Sequence, residues 1–166
     1  MRVHVTWGTY GSWLPGDPRG FRTRRHRTHV EGDYRNPPPP GIYEGLHTYA
    51  RAKLRKPPVV LPRDLRPVVG LTCLEQFAKE DACVCALSVG GEHVHVAADC
   101  SPDGLPQRIG RVKKVSSHRI RDRIPGKVWA GGRTLVVVRD ERHWQNVLRY
   151  IQNHAPQAWV WLREIA

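Results

Sequence analysis

The sequence predicts an α+β chain on a ferredoxin-like split βαβ plan with a central antiparallel sheet, and three observations carry this. Apolar periodicity switches between two and 3.6 residues in the order strand, helix, strand, strand, helix, strand. Gly90-Gly91 joins the two middle strands as a hairpin. One further amphipathic helix follows the fourth strand and is left to cover the open face of the sheet. At 166 residues the chain is read as one domain, 1–166, able to bury a core.

The opening MRVHVTWGTYG alternates Val3 and Val5 with Arg2, His4 and Thr6, a first strand ending at a glycine turn. An irregular Pro/Arg-rich insertion then occupies about 12–67, with ten prolines between Ser12 and Pro67 and a short helix expected within Tyr43 to Lys56. Its basic cluster, which includes Arg22, Arg24 and Arg25, reads either as a phosphate-contacting arm or as a solvated loop. From Arg66 to Lys79, Val68, Val69, Leu71, Leu74, Phe77 and Ala78 recur near helical spacing.

Cys83 to Val89 is the second strand, and Gly90 to Asp99, GGEHVHVAAD, carries the third. With a two-residue loop Ser88 pairs with His93 and Ala86 with His95, placing Cys83 and Cys85 on the opposite face against Val94 and Val96; a three-residue loop reverses this. Leu105, Ile109, Val112, Ile120 and Ile124 mark one face of the next helix, and Leu135 to Val138 is the fourth strand. Between Glu141 and about Ala155, Trp144, Val147, Leu148 and Ile151 fall at i, i+3, i+4 and i+7, a buried stripe. The segment APQAWVWLREIA after it is apolar enough to dock on its own chain or on a partner.

Lys and Arg number 27 against 15 Asp and Glu, a net charge of +12. That excess points to a polyanion, nucleic acid first. The third helix concentrates it, with Arg108, Arg111, Lys113, Lys114 and Arg119 on a nearly single-signed face expected to contact phosphates. Trp7, Trp13, Tyr10 and Trp129 are candidates for stacking unpaired bases, with Trp129 and Trp144 also fitting a core. Four cysteines without secreted spacing, and no signal peptide or long apolar run, suggest a reduced, cytoplasmic, nucleoid-associated protein without a membrane partner.

His93 and His95 alternate with Val94 and Val96, so two imidazoles share one face of a strand whose other face is apolar. Two imidazoles can hold a divalent ion but do not complete a site. Tyr150 and His154 lie one turn apart on the flank of the last helix. Packed across the open face of the sheet, that helix brings His154 to the ion as a third ligand and presents the Tyr150 hydroxyl there.

The HVH strand, the segment Tyr150-Ile151-Gln152-Asn153-His154 and the strand order between them resemble the HUH endonucleases with a single catalytic tyrosine. These are transposases of small bacterial insertion sequences and REP-associated tyrosine transposases. The opening TWGTYGSWLPGDPRGF is similar to this group's N-terminal segment, whereas most of Ser12 to Pro67 lies outside the resemblance. It implies Tyr150 as nucleophile, His93, His95 and His154 as metal ligands, and Mg²⁺ or Mn²⁺ as cofactor. His154 stands where the family often has Gln or Asn, a departure that favours softer ions such as Mn²⁺.

The implied activity is cleavage and rejoining of single-stranded, hairpin-containing DNA through a 5′-phosphotyrosine, by a monomer or by a homodimer that exchanges the tyrosine helix. Two other classes stay open at this stage. One is a non-catalytic nucleic-acid-binding protein of the same fold, and the other a structural zinc protein using Cys83, Cys85, His93 and His95.

Overall fold

Strict alternation along Arg2–Gly8 buries Val3, Val5 and Trp7 on one side and leaves His4 and Thr6 on the other, and the whole sheet repeats this division. The computed structural model describes residues 1–19, 21 and 39–164. Its elements are β1 (Arg2–Gly8), α1 (Glu44–Ala52), α2 (Leu65–Lys79), β2 (Cys83–Val89), β3 (His93–Asp99), α3 (Leu105–Arg119), β4 (Thr134–Val137), α4 (Glu141–Gln152) and β5 (Trp159–Leu162). They fall into two compact units, one formed by Met1–Tyr10 with the chain from Val59 onward, the other by Gly11–Pro58.

In the first unit the five strands are antiparallel in the order β4-β1-β3-β2-β5. Removing β5 leaves β4-β1-β3-β2, the split βαβ arrangement expected from the periodicities. Helices α2 and α3 cover the valine side, where Val3, Val5, Val94 and Val96 meet Val69, Phe77, Leu105, Ile109 and Val112 in the main core. Helix α4 covers the other side, packing Trp144, Val147 and Ile151 on Ala86 and Ala97. Asp140 starts α4 by accepting a hydrogen bond from the His143 N–H at 2.7 Å.

The face of α2 differs from the expected one. Leu65, Val69, Cys73 and Phe77, four residues apart, point inward, while Val68 and Leu71 are exposed. The segment after α4 docks on its own chain as β5 beside β2. Trp159 of β5 reaches α2 at Gly70, where a Cβ would stand 1.9 Å from its Cζ3, so only glycine admits that ring.

The β2–β3 hairpin closes one residue later than expected. Gly90 N–H donates to the His93 carbonyl at 2.9 Å, leaving Gly91 and Glu92 as the loop, and Ser88 pairs with His95 and Ala86 with Ala97. Because the shift keeps the parity of the pairing, Ser88 still shares the histidine face. A bulge between Val84 and Ala86 then lets Val84 face the main core. As a result Cys85 packs beside Ala86 and Ala97, and Cys83 is exposed opposite Asp99, so neither cysteine faces Val94 and Val96 as the simple alternation required.

In the second unit α1 is the helix expected within Tyr43 to Lys56, and none of its residues is buried. Phe21 meets Tyr43 edge-on at 4.9 Å, and Asp17 is buried on the Arg19 backbone and guanidinium, each contact at 2.9 Å. Gly16 has φ +85° and passes so close to the start of α1 that a Cβ would lie 2.4 Å from the His47 nitrogen.

Candidate metal centre

Strand β3 sits between β1 and β2, so its histidine face is flanked by side chains from both neighbours. Thr6 is directly opposite His95 on one side and Ser88 on the other. Helix α4 crosses this face, and after it Asn153 keeps a helical conformation while the His154 N–H donates to the Ile151 carbonyl at 3.2 Å. His154 therefore lies in the turn that continues α4, not in the helix proper. One ligand atom each from His93, His95 and His154 lie within 4.8 Å of one another.

The rings pack accordingly. His95 stacks on His154 with centroids 4.7 Å apart and meets His93 at 4.9 Å. Tyr150 stands edge-on to both His154, at 4.7 Å, and His95, at 5.3 Å. It remains 42% exposed, so the phenol belongs both to the cluster and to the surface.

The imidazoles of His95 and His154 are held from behind. Nδ1 of His95 lies 3.0 Å from Thr6 Oγ1 and 3.1 Å from His4 Nε2, and Nδ1 of His154 lies 3.0 Å from Ser88 Oγ. With Nδ1 engaged on both rings, Nε2 is the nitrogen left for a metal. Burial pushes the His95 pKa down to about 2, reinforced by the neighbouring His93, His154 and His4. Burial also takes His4 down to about 4 and lowers His154. These imidazoles are neutral near pH 7, the form in which histidine ligates.

This donor set fits a divalent transition ion, because imidazole nitrogens, two of them on rings whose Nδ1 is anchored, suit Mn²⁺ or Zn²⁺. It suits Mg²⁺ less well, since that ion prefers oxygen ligands. Neither Cys83 nor Cys85 joins the cluster, and the three imidazoles brought together among the described residues are one ligand short of a closed structural zinc site.

The residues expected to contact nucleic acid are distributed differently. Arg22, Arg24 and Arg25 lie outside the described residues. Arg108, Arg111, Lys113, Lys114 and Arg119 are on α3, across the sheet from the histidines. Arg111 donates to Glu80 at 2.7 Å, which holds that carboxyl down at about 2, and Lys113 donates to the carbonyls of Ala130 and Gly132 at 2.7 and 3.0 Å. Lys114 and Arg119 are exposed, and Arg108 is half-buried.

Trp7 and Trp129 form a buried edge-to-face pair at 6.1 Å, which removes both from any stacking role, and Trp144 is buried on the inward face of α4. Trp13 is exposed, with the Arg19 guanidinium 4.4 Å from its ring, and Tyr10 is half-buried.

Sequence reasoning missed His4 and Thr6 as members of the site. The signal was present in the alternation of β1, because the split βαβ order places β1 beside β3 and so brings its polar face next to the histidines.

No protein-family model and no curated protein matches the chain. Among solved structures it is similar to a candidate transposase from Deinococcus radiodurans, with a TM-score of 0.51 over 92% of this chain and 89% of that one, at 14% identity. At that identity the likeness concerns the fold.

Proposed function

We propose that this protein is a metal-dependent single-stranded DNA endonuclease and strand transferase that acts through a 5′-phosphotyrosine on Tyr150. The observation carrying this reading is the placement of a surface-accessible phenol against the three-imidazole cluster, with ring centroids 4.7 Å from His154 and 5.3 Å from His95. His93, His95 and His154 would hold the ion. When bound, a divalent ion supplies a Lewis acid that polarises the scissile phosphate.

The remaining steps belong to the chain's own residues. Tyr150 Oη attacks phosphorus, the bond from phosphorus to the 3′-oxygen breaks, and the phenol's proton ends on the departing 3′-hydroxyl. The step is isoenergetic in type, one phosphodiester replacing another, so a second 3′-hydroxyl can reverse it and rejoin DNA without a nucleotide cofactor. Helix α4 holds the nucleophile by burying Trp144, Val147 and Ile151, which fixes Tyr150 on the helix edge above the strands. The net charge of +12 favours DNA as the polyanion.

The test uses a labelled single-stranded hairpin oligonucleotide from the ends of the protein's own genomic locus, with Mn²⁺ or Mg²⁺, and denaturing electrophoresis. A covalent protein–DNA band that requires metal and disappears in Tyr150→Phe is expected. DNA binding by both proteins with no adduct from either would instead favour a non-catalytic nucleic-acid-binding protein of the same fold.

A further inference from the structure

We infer that His4, together with Thr6, is a positioning residue that sets the tautomer of His95 and so decides which of its nitrogens faces the ligand cluster. The inference deepens the proposed function, because it rests on His93, His95 and His154 being a metal centre. His4 Nε2, Thr6 Oγ1 and His95 Nδ1 form a triangle with separations of 3.1, 3.0 and 3.5 Å. All three side chains project from the same sheet face, since Thr6 pairs with His95 and His4 with Ala97.

A neutral imidazole carries one N–H and one lone pair. For Nε2 of His95 to offer its lone pair to an ion, Nδ1 must carry the hydrogen and needs an acceptor. His95 is only 7% exposed, so leaving that N–H without an acceptor is costly. Strand β1 supplies two acceptors, the Thr6 hydroxyl oxygen and His4 Nε2. His4 itself is outside the ligand cluster, with Nε2 turned to the back of His95, so it acts through that ring and not as a fourth ligand. Its ring stacks on His95 with centroids 5.3 Å apart and meets Tyr150 edge-on at 6.0 Å, which fixes its orientation.

The test is made on the full-length, metal-free, ¹⁵N-labelled protein. Long-range ¹H–¹⁵N correlations of the histidine rings report each tautomer directly, and Co²⁺ titration followed by its absorption bands reports affinity. Wild type is expected to show His95 with hydrogen on Nδ1. His4→Leu combined with Thr6→Val is expected to mix the His95 tautomers and to weaken Co²⁺ binding by about 10- to 100-fold. In His4→Gln, whose carbonyl can accept, most of the affinity should return.

A wild-type His95 with hydrogen on Nε2 overturns the inference, and so does a folded double variant with tautomer and affinity unchanged. The wild-type spectrum decides even when the double variant does not fold. Hydrogen on Nδ1 in a protein that takes up no Co²⁺ would uphold the positioning role while removing the metal centre from the proposed function.

Discussion

Ser88 Oγ lies 3.0 Å from Nδ1 of His154, so a buried hydroxyl on β2 holds the imidazole that follows α4. Loss of that partner frees the ring to rotate without removing the imidazole. Ser88→Ala is therefore expected to weaken metal binding by about tenfold, less than His154→Ala does. Calorimetric titration with Mn²⁺ or Zn²⁺ checks the order of the two effects.

Tyr150 is an exposed residue outside both cores, and the proposed function assigns its hydroxyl the chemistry. Tyr150→Phe is expected to abolish the covalent adduct while leaving unfolding free energy within about 0.5 kcal/mol of wild type, because the hydroxyl is on an exposed residue. Urea unfolding alongside the adduct assay separates the two readouts.

Acid should destabilise the metal-free protein through two imidazoles, the buried His95 and the half-buried His4. His4 and His95 have folded pKa values of about 4 and about 2, both below the unfolded value of 6.5. Below pH 6.5 the unfolded chain binds protons that the folded chain refuses. The stability is full above that pH and falls as pH drops towards 4, by up to about 1.4 kcal/mol per pH unit for each group. Urea midpoints measured in EDTA between pH 7.5 and 4.5 would contradict this if they stayed constant in His4→Gln and wild type alike.

Chelation should leave the fold standing. The main core is formed by α2, α3 and the valine face of the sheet, away from the histidine cluster. An ion at 100 times its Kd adds about 2.7 kcal/mol. Removing it is expected to lower Tm by less than about 10 °C. Calorimetric scans with and without EDTA test this, and collapse of secondary structure on chelation would point to a structural zinc protein.

Gly70→Ala is expected to destabilise despite the better helix propensity of alanine. A Cβ at position 70 would stand 1.9 Å from Trp159 Cζ3 and push β5 from α2. Overpacking of this kind costs about 1–3 kcal/mol. Trp159→Ala in the same chain should remove most of the extra cost, which a double-mutant cycle by urea unfolding measures.

The split βαβ order was legible in the sequence because several elements carry a clear period, as in Trp144, Val147 and Ile151 of α4 or Leu105, Ile109 and Val112 of α3. The pairing of His93 with His95 followed from the two-residue period alone. The convergence of His154 required a helix on the free face, which amphipathicity allowed but could not locate. The bulge at Cys85 was hidden because an extra residue leaves no periodic trace, and the inward face of α2 was obscured by Val68 and Leu71, apolar yet exposed. His4 looked like an ordinary strand residue until β1 was set beside β3.

The Gly91-Glu92 turn determines which side of β3 meets which surroundings. Insertion or deletion of one residue there would exchange the two faces, sending imidazoles into the hydrocarbon layer and Val94 and Val96 towards Tyr150. That loop is therefore constrained in length more than in composition, and an indel of a single codon would damage stability and chemistry together.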